Sequence, residues 1–172
     1  MAKLEREAFI TCLDSVFNKK LADASKAAFE IIGDDIEELR VELNAETEQV
    51  RNILGQTKTK DSGYSPSFDA TPYYADPEKK MYPKLRDICM ERLKGDACKT
   101  LLLEIVVEDT DATTHTAYLR EVMVKPTSYG GSTDGFDIPF TVSEDGAWEK
   151  GTVTSASITA GSPTFTKATA SG

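Results

Sequence analysis

Few side chains in this sequence are of the kinds that do chemistry, and their spacing argues against most reactions. The only histidine, His115, sits in the polar stretch Asp111 to Thr116 and reads as a surface turn residue. A two-histidine metal site is thereby excluded, and a histidine-dependent triad would rest on one turn residue. Cys12, Cys89 and Cys98 are an odd number, and Cys89 and Cys98 lie nine positions apart, without the two-residue spacing of a zinc or thioredoxin-like site. They read as reduced fillers of a core. Gly130-Gly131-Ser132-Thr133-Asp134-Gly135 is glycine-rich but has neither the lysine nor the following helix of a phosphate-binding loop, so it reads as a mobile loop. Asp34, Asp35, Glu37 and Glu38 are close enough in sequence for two carboxylates, Asp35 and Glu38, to divide acid and base work as in a glycosidase. Neighbouring acids at a turn are ordinarily just solvated. The expectation is a protein without catalytic residues, cofactor or metal.

The acids are unusual in number rather than in arrangement. Residues 30 to 48 hold eight of them against Arg40 alone, which is -7 of the chain's net charge of -9. Glu38, Arg40 and Glu42 alternate with Leu39, Val41 and Leu43, so on a strand the charges share one face and form an acidic stripe. Such a stripe is most simply a solubilising surface. It is also what would line a passage for something negative, because binding nucleic acid requires Lys and Arg to displace the phosphates' counterions. For the same reason the chain is not expected to coat DNA or RNA.

With 172 residues, 40% of them hydrophobic, the chain is long enough for one domain with its own core, and its scattered Gly and Pro exclude collagen-like and disordered classes. No apolar run approaches the length of a membrane span or a secretory leader, so the chain reads as a product of the cytoplasm with no membrane partner. Alternation predicts strands at Ala8 to Leu13, Ala28 to Ile32 (closed by a turn at Gly33-Asp34-Asp35) and Leu39 to Leu43, with a loop over Asp14 to Lys26. Thr47 to Lys60 reads as one strand kinked at Gly55. Ser62 to Asp76 carries Gly63, Pro66 and Pro72 among Tyr64, Phe68, Tyr73 and Tyr74; it is too broken for a central strand and too aromatic to be left uncovered. Met81, Leu85, Ile88 and Leu93 mark the one clear helix, with Pro83 in its first turn and Gly95 beyond its end. Strands are then predicted from Thr100 to Glu108, from Ala117 to Val124, and from Ile138 to a hairpin turn at Glu144-Asp145-Gly146. Thr152 to Ile158 answers across that turn. Phe165 anchors a tail whose residues 166–172 should fray. The sum is a mainly β chain with one α-helix, folded as a β-sandwich or partly rolled barrel.

The sequence resembles the major tail tube proteins of long-tailed bacteriophages and related prophages. The residues that carry the resemblance are Asn52-Ile53-Leu54-Gly55, Ser62 to Phe68 running into Pro72 to Pro77, Val124 to Gly131, Ile138-Pro139-Phe140 and Gly161 to Phe165. The resemblance implies a β-sandwich or partly rolled barrel of the phage tail tube type. It further implies homohexameric rings stacked into a hollow tube, with tape measure, tail terminator and distal tail proteins as partners and DNA only as passing cargo. Such a subunit is assembled in the host cytoplasm and resides in the virion tail.

Mapped onto this chain, the strands around Ala28 to Asn44 and Glu46 to Lys60 would form a long hairpin of the inner wall, with Glu38, Arg40 and Glu42 toward the lumen. Residues 44–76 would be an arm and hairpin region, with Tyr64, Phe68, Tyr73 and Tyr74 reaching a neighbouring subunit. The inner tube of a contractile tail or phage-like bacteriocin is the alternative within the same class. A monomeric carbohydrate-binding β-sandwich that stacks sugars on Tyr64, Tyr73, Tyr74 or Trp148 ranks below both, and an enzyme using Asp35 and Glu38 comes last.

Overall fold

Strand β6 (Lys99–Val106) is buried along nearly its whole length because both of its faces are apolar: Leu101, Leu103 and Ile105 alternate with Leu102. A strand of that kind belongs in the middle of a sheet covered on both sides. In a computed structural model describing residues 3–34 and 36–168, that is its position. The main sheet runs β2 (Phe29–Ile32), β1 (Phe9–Asp14), β6, β7 (Thr114–Pro126), β8 (Phe140–Thr154), β5 (Ser67–Ala70), and β9 (Phe165–Lys167) adds to β8. Every pairing is antiparallel. The sheet curls into a half-barrel, so of the two expected architectures the partly rolled one describes the molecule.

Adjacent residues of one strand supply two cores. Leu13 and Leu102 face a cluster with Phe68, Tyr73, Met81, Leu85, Phe140 and Val142, while their neighbours Cys12, Leu101 and Leu103 face Phe29, Leu119, Val153 and Phe165 on the other side. Helix α1 (Tyr82–Glu91) closes the first core with Leu85 and Cys89. Burying each large aliphatic side chain contributes on the order of 2 kcal/mol. Pro83 stands within the first helical turn, where its missing N–H costs no hydrogen bond. The second core is covered by a 3-10 helix (Leu21–Lys26), the short helix α2 (Ser155–Thr159) and β9. The loop after β1 is organised by buried Asp14, whose carboxylate accepts from the backbone N–H groups of Val16, Asn18 and Ala28 at 2.9–3.0 Å.

Several expectations are corrected. Thr47 to Lys60 is not one kinked strand but a hairpin of β3 (Glu46–Arg51) and β4 (Thr57–Gly63), because Asn52 and Gly55 build a tight turn between them. Leu39 to Leu43 keeps the predicted alternation through Leu39, buried, and Val41, half-buried, but Leu43 is exposed, and among the described residues the segment's ladder contact is limited to the bridge from Glu42 to Ser67 at the start of β5. Glu144-Asp145-Gly146 does not reverse the chain. β8 continues through it, since Arg120 pairs with Trp148 and Val122 with Glu144, leaving Glu121 opposite three residues. The turn signal serves a bulge, in which Gly146 takes the φ of +105° that other residues avoid. The segment expected to answer across that turn is the end of β8 followed by α2. His115 is no surface turn residue: β7 starts at Thr114, earlier than predicted, and alternation places His115 among the buried residues of that strand. The tail is anchored by Phe165 as expected, residues 166 and 167 extend β9, and residues 169–172 lie outside the described residues.

Candidate assembly surfaces

Among the described residues the hairpin of β3 and β4 pairs with no other strand, and of its strand residues only Gly63 is even half-buried. Neither face carries an apolar set that could pack on the body. Thr47, Gln49, Arg51, Thr57, Thr59 and Asp61 share one side, and Glu48, Val50, Lys58 and Lys60 the other. A two-stranded ribbon of this composition is marginal in water by itself. Its turn is nevertheless well built: the Asn52 side-chain oxygen accepts from the N–H groups of Leu54 and Gln56, each at 3.0 Å, and Gly55 takes a φ of +78°. That geometry holds Ile53 and Leu54 outward, with relative exposures of 102% and 77%.

At the hairpin's base, Leu43 and Tyr64 to Ser67 meet the bulged part of β8 around a cavity of about 660 Å³. β8 pairs with β5 through Phe140 to Ser143 and with β9 through Gly151 to Val153, so its outer edge between them has no strand beside it. Trp148 and Tyr64 are both exposed there. Arg120 forms the floor. Its guanidinium lies 5.7 Å from the Tyr118 ring and 5.6 Å from the Trp148 ring, and its Nε reaches Glu104 at 2.5 Å and Glu144 at 3.3 Å. Burial pushes the Glu144 carboxyl above the usual carboxylate range; Glu104 adds to that shift and Arg120 opposes it. A second cavity of about 470 Å³ adjoins the first through Leu43, Arg120 and Glu144, and reaches Glu37, Glu38 and Arg40.

The predicted site residues divide. Glu38, Arg40 and Glu42 are all exposed, and Arg40 pairs with Glu38 at 3.4 Å. They form the stripe along an irregular segment rather than a strand. Asp35 lies outside the described residues, so its pairing with Glu38 has no geometry here. Of the four aromatic residues assigned to an arm, only Tyr64 is free. Phe68 and Tyr73 are buried in this chain's own first core, and Tyr74 bridges Asp137, because β5 docks on β8 and brings the following residues down with it. The segment that stands apart from the main sheet is the β3–β4 hairpin rather than Tyr64 to Tyr74. The sequence signal for the hairpin turn is Asn52 at its first position and Gly55 at its fourth. Nothing local marked Arg120, whose partners lie on three strands. Among the described residues no three His, Cys, Asp or Glu side chains gather as metal ligands, and no helix is long and apolar enough to cross a membrane.

The fold and these surfaces define a class: a half-barrel β protein with open sheet edges and a detached hairpin. No protein-family model and no curated protein matches the chain. Solved structures are similar to it, among them two chains of gene transfer agent particles. One is a chain of the virion of a native gene transfer agent particle, with 17% identity, 86% of this chain and 98% of that one covered, and a TM-score of 0.56. The other is a chain of the tail of an empty gene transfer agent particle with C6 symmetry, with 17% identity, coverage of 85% and 97%, and a TM-score of 0.52. At that identity the likeness is one of fold.

Proposed function

We propose that this chain is a tail tube subunit: a non-enzymatic structural protein of the virion whose copies close into hexameric rings that stack into a conduit for DNA. The observation that carries the proposal is the β3–β4 hairpin, which holds a rigid turn and two exposed aliphatic side chains away from any core of its own. A hairpin of that kind needs a partner to cover it. The outer edge of β2 and part of that of β8 are likewise free to pair, and closing a barrel between copies removes such edges. The fold shared with a six-fold symmetric tail supports this reading. In it Glu38, Arg40 and Glu42 line the bore and deny the passing phosphates a foothold, while tape measure, terminator and distal tail proteins bound the tube after assembly in the host cytoplasm.

Electron microscopy and size-exclusion chromatography of the purified chain test the proposal. Rings or tubes, or a mass rising with concentration, are expected; a monomer at every concentration, with or without initiating tail proteins, overturns it. The same assembly would serve the inner tube of a contractile tail, for which a sheath gene encoded alongside would decide. One observation favours a different reading, since Tyr64 and Trp148 flank one cavity as sugar-stacking rings would. Saturable glycan binding by a stable monomer would establish that function instead.

A further inference from the structure

The tip of the hairpin and the cavity at its base are complementary. The tip offers Ile53 and Leu54, both exposed, on a turn fixed by three hydrogen bonds from or to Asn52 side-chain atoms. Little conformational freedom remains for it to lose on binding. Around it the charge is of one sign: residues 49–60 contain Arg51, Lys58 and Lys60 and no acid. The cavity offers the opposite. Leu43, Pro66, Ala147 and Trp148 supply apolar wall, and the charged side chains lining it are Glu121 and Glu144 against Arg120, with no lysine.

We propose that Ile53 and Leu54 of one copy seat between Leu43, Ala147 and Trp148 of the next, with Arg51, Lys58 and Lys60 facing the acidic side of the cavity, Glu121 and Glu144. The proposal rests on the reading of this chain as a self-assembling subunit and names the contact that joins its copies. A second copy is the required occupant. β3 is six residues long, and at about 3.4 Å per residue its tip stands about 20 Å from its own base, where the cavity lies. Donor and acceptor occupy opposite ends of one hairpin, so the contact is head-to-tail and propagates from copy to copy, closing into a ring or continuing as a filament. It also covers the apolar pair that the isolated chain leaves in water.

Cross-linking of the full chain tests this. Cys12, Cys89 and Cys98 are all buried, so cysteines added at exposed positions react selectively. Leu54→Cys and Ala147→Cys variants are prepared separately, mixed, allowed to assemble, and treated with a short bis-maleimide. A two-chain product in the mixture, absent from each variant alone, is the expected result. A product in Leu54→Cys alone means that tips meet tips, and overturns the proposal. Tubes visible by electron microscopy without the mixed product overturn it while leaving the tail tube reading intact; a wild-type chain that never assembles overturns both. As a second measurement, Ile53→Asp with Leu54→Asp leaves both cores untouched and should raise the concentration at which assemblies appear by about tenfold or more. Assembly at the wild-type concentration with an unchanged melting midpoint would also refute the contact.

Discussion

The hydroxyl of Tyr73 donates to the Glu30 carboxylate at 2.8 Å, joining residues 43 positions apart. Tyr73 packs edge-on against Phe140 and is 3% exposed, so this bond ties the segment after β5 to strand β2 inside the chain's own core. Burial first, and then the charge and hydrogen bond of Glu30, raise the phenol above its ordinary value of 10.

Tyr73→Phe is therefore expected to cost about 1.5–3 kcal/mol, the range for a hydrogen bond to a charged group, in urea unfolding near neutral pH. The pH dependence has a definite sign. As pH rises past 10 the unfolded phenol loses its proton while the folded one keeps it, so wild-type stability falls with alkalinity. The variant lacks this contribution to the fall, and parallel curves for the two proteins between pH 9 and pH 11 would remove the bond from the account.

A methyl group at Gly151 would lie 2.1 Å from the Thr166 carbonyl oxygen and 2.6 Å from the Phe165 ring. Gly151→Ala should consequently push β9 off β8 at a cost of about 1–3 kcal/mol, while the β1–β6–β7 centre remains folded. Faster hydrogen exchange at residues 165–167, with β6 still protected, is the measurement that checks it.

For Glu144 the raised carboxyl means that the folded chain takes up a proton at a pH where the unfolded chain has lost it. Stability from this group falls as pH rises from the ordinary glutamate range through the raised value, and is level above it. Glu144→Gln abolishes that slope, so the variant gains on wild type as pH rises through the window, whatever constant difference the lost Arg120 pair imposes. Melting midpoints of the two proteins from pH 4 to pH 7 report it, and a constant gap would rule the slope out.

Glu38→Lys with Glu42→Lys alters only exposed side chains, so tubes should still assemble. On the proposed placement of these residues in a bore, symmetry-related cations would hold phosphates, slowing or blocking DNA delivery in a salt-dependent manner. Unimpaired delivery through assembled variant tubes would take these residues out of the lumen.

The legible part of the fold is the part decided by near neighbours. β6 and the middle of β7 follow from alternation, and α1 from the spacing of Met81, Leu85 and Ile88, with Pro83 marking its first turn. The acidic stripe was equally visible, since charge opposite Leu39 and Val41 stays in water wherever the segment lies. Gly55 and Gly146 could not be told apart from their surroundings in sequence. Each follows a β-compatible run, yet one helps reverse the chain and the other bulges a strand that continues, because β7 extends alongside β8 and no strand extends past the hairpin.

By itself the sequence determined which segments prefer extended or helical backbone and where charge accumulates. Only the tertiary structure decided that Tyr73 belongs to the chain's own core, that Arg120 is shared between Glu104 and Glu144, and that Ile53 and Leu54 are left in water. The reason is that a side chain's period sets the face it occupies, whereas its partner is set by whichever distant surface remains unburied once the sheet has curled.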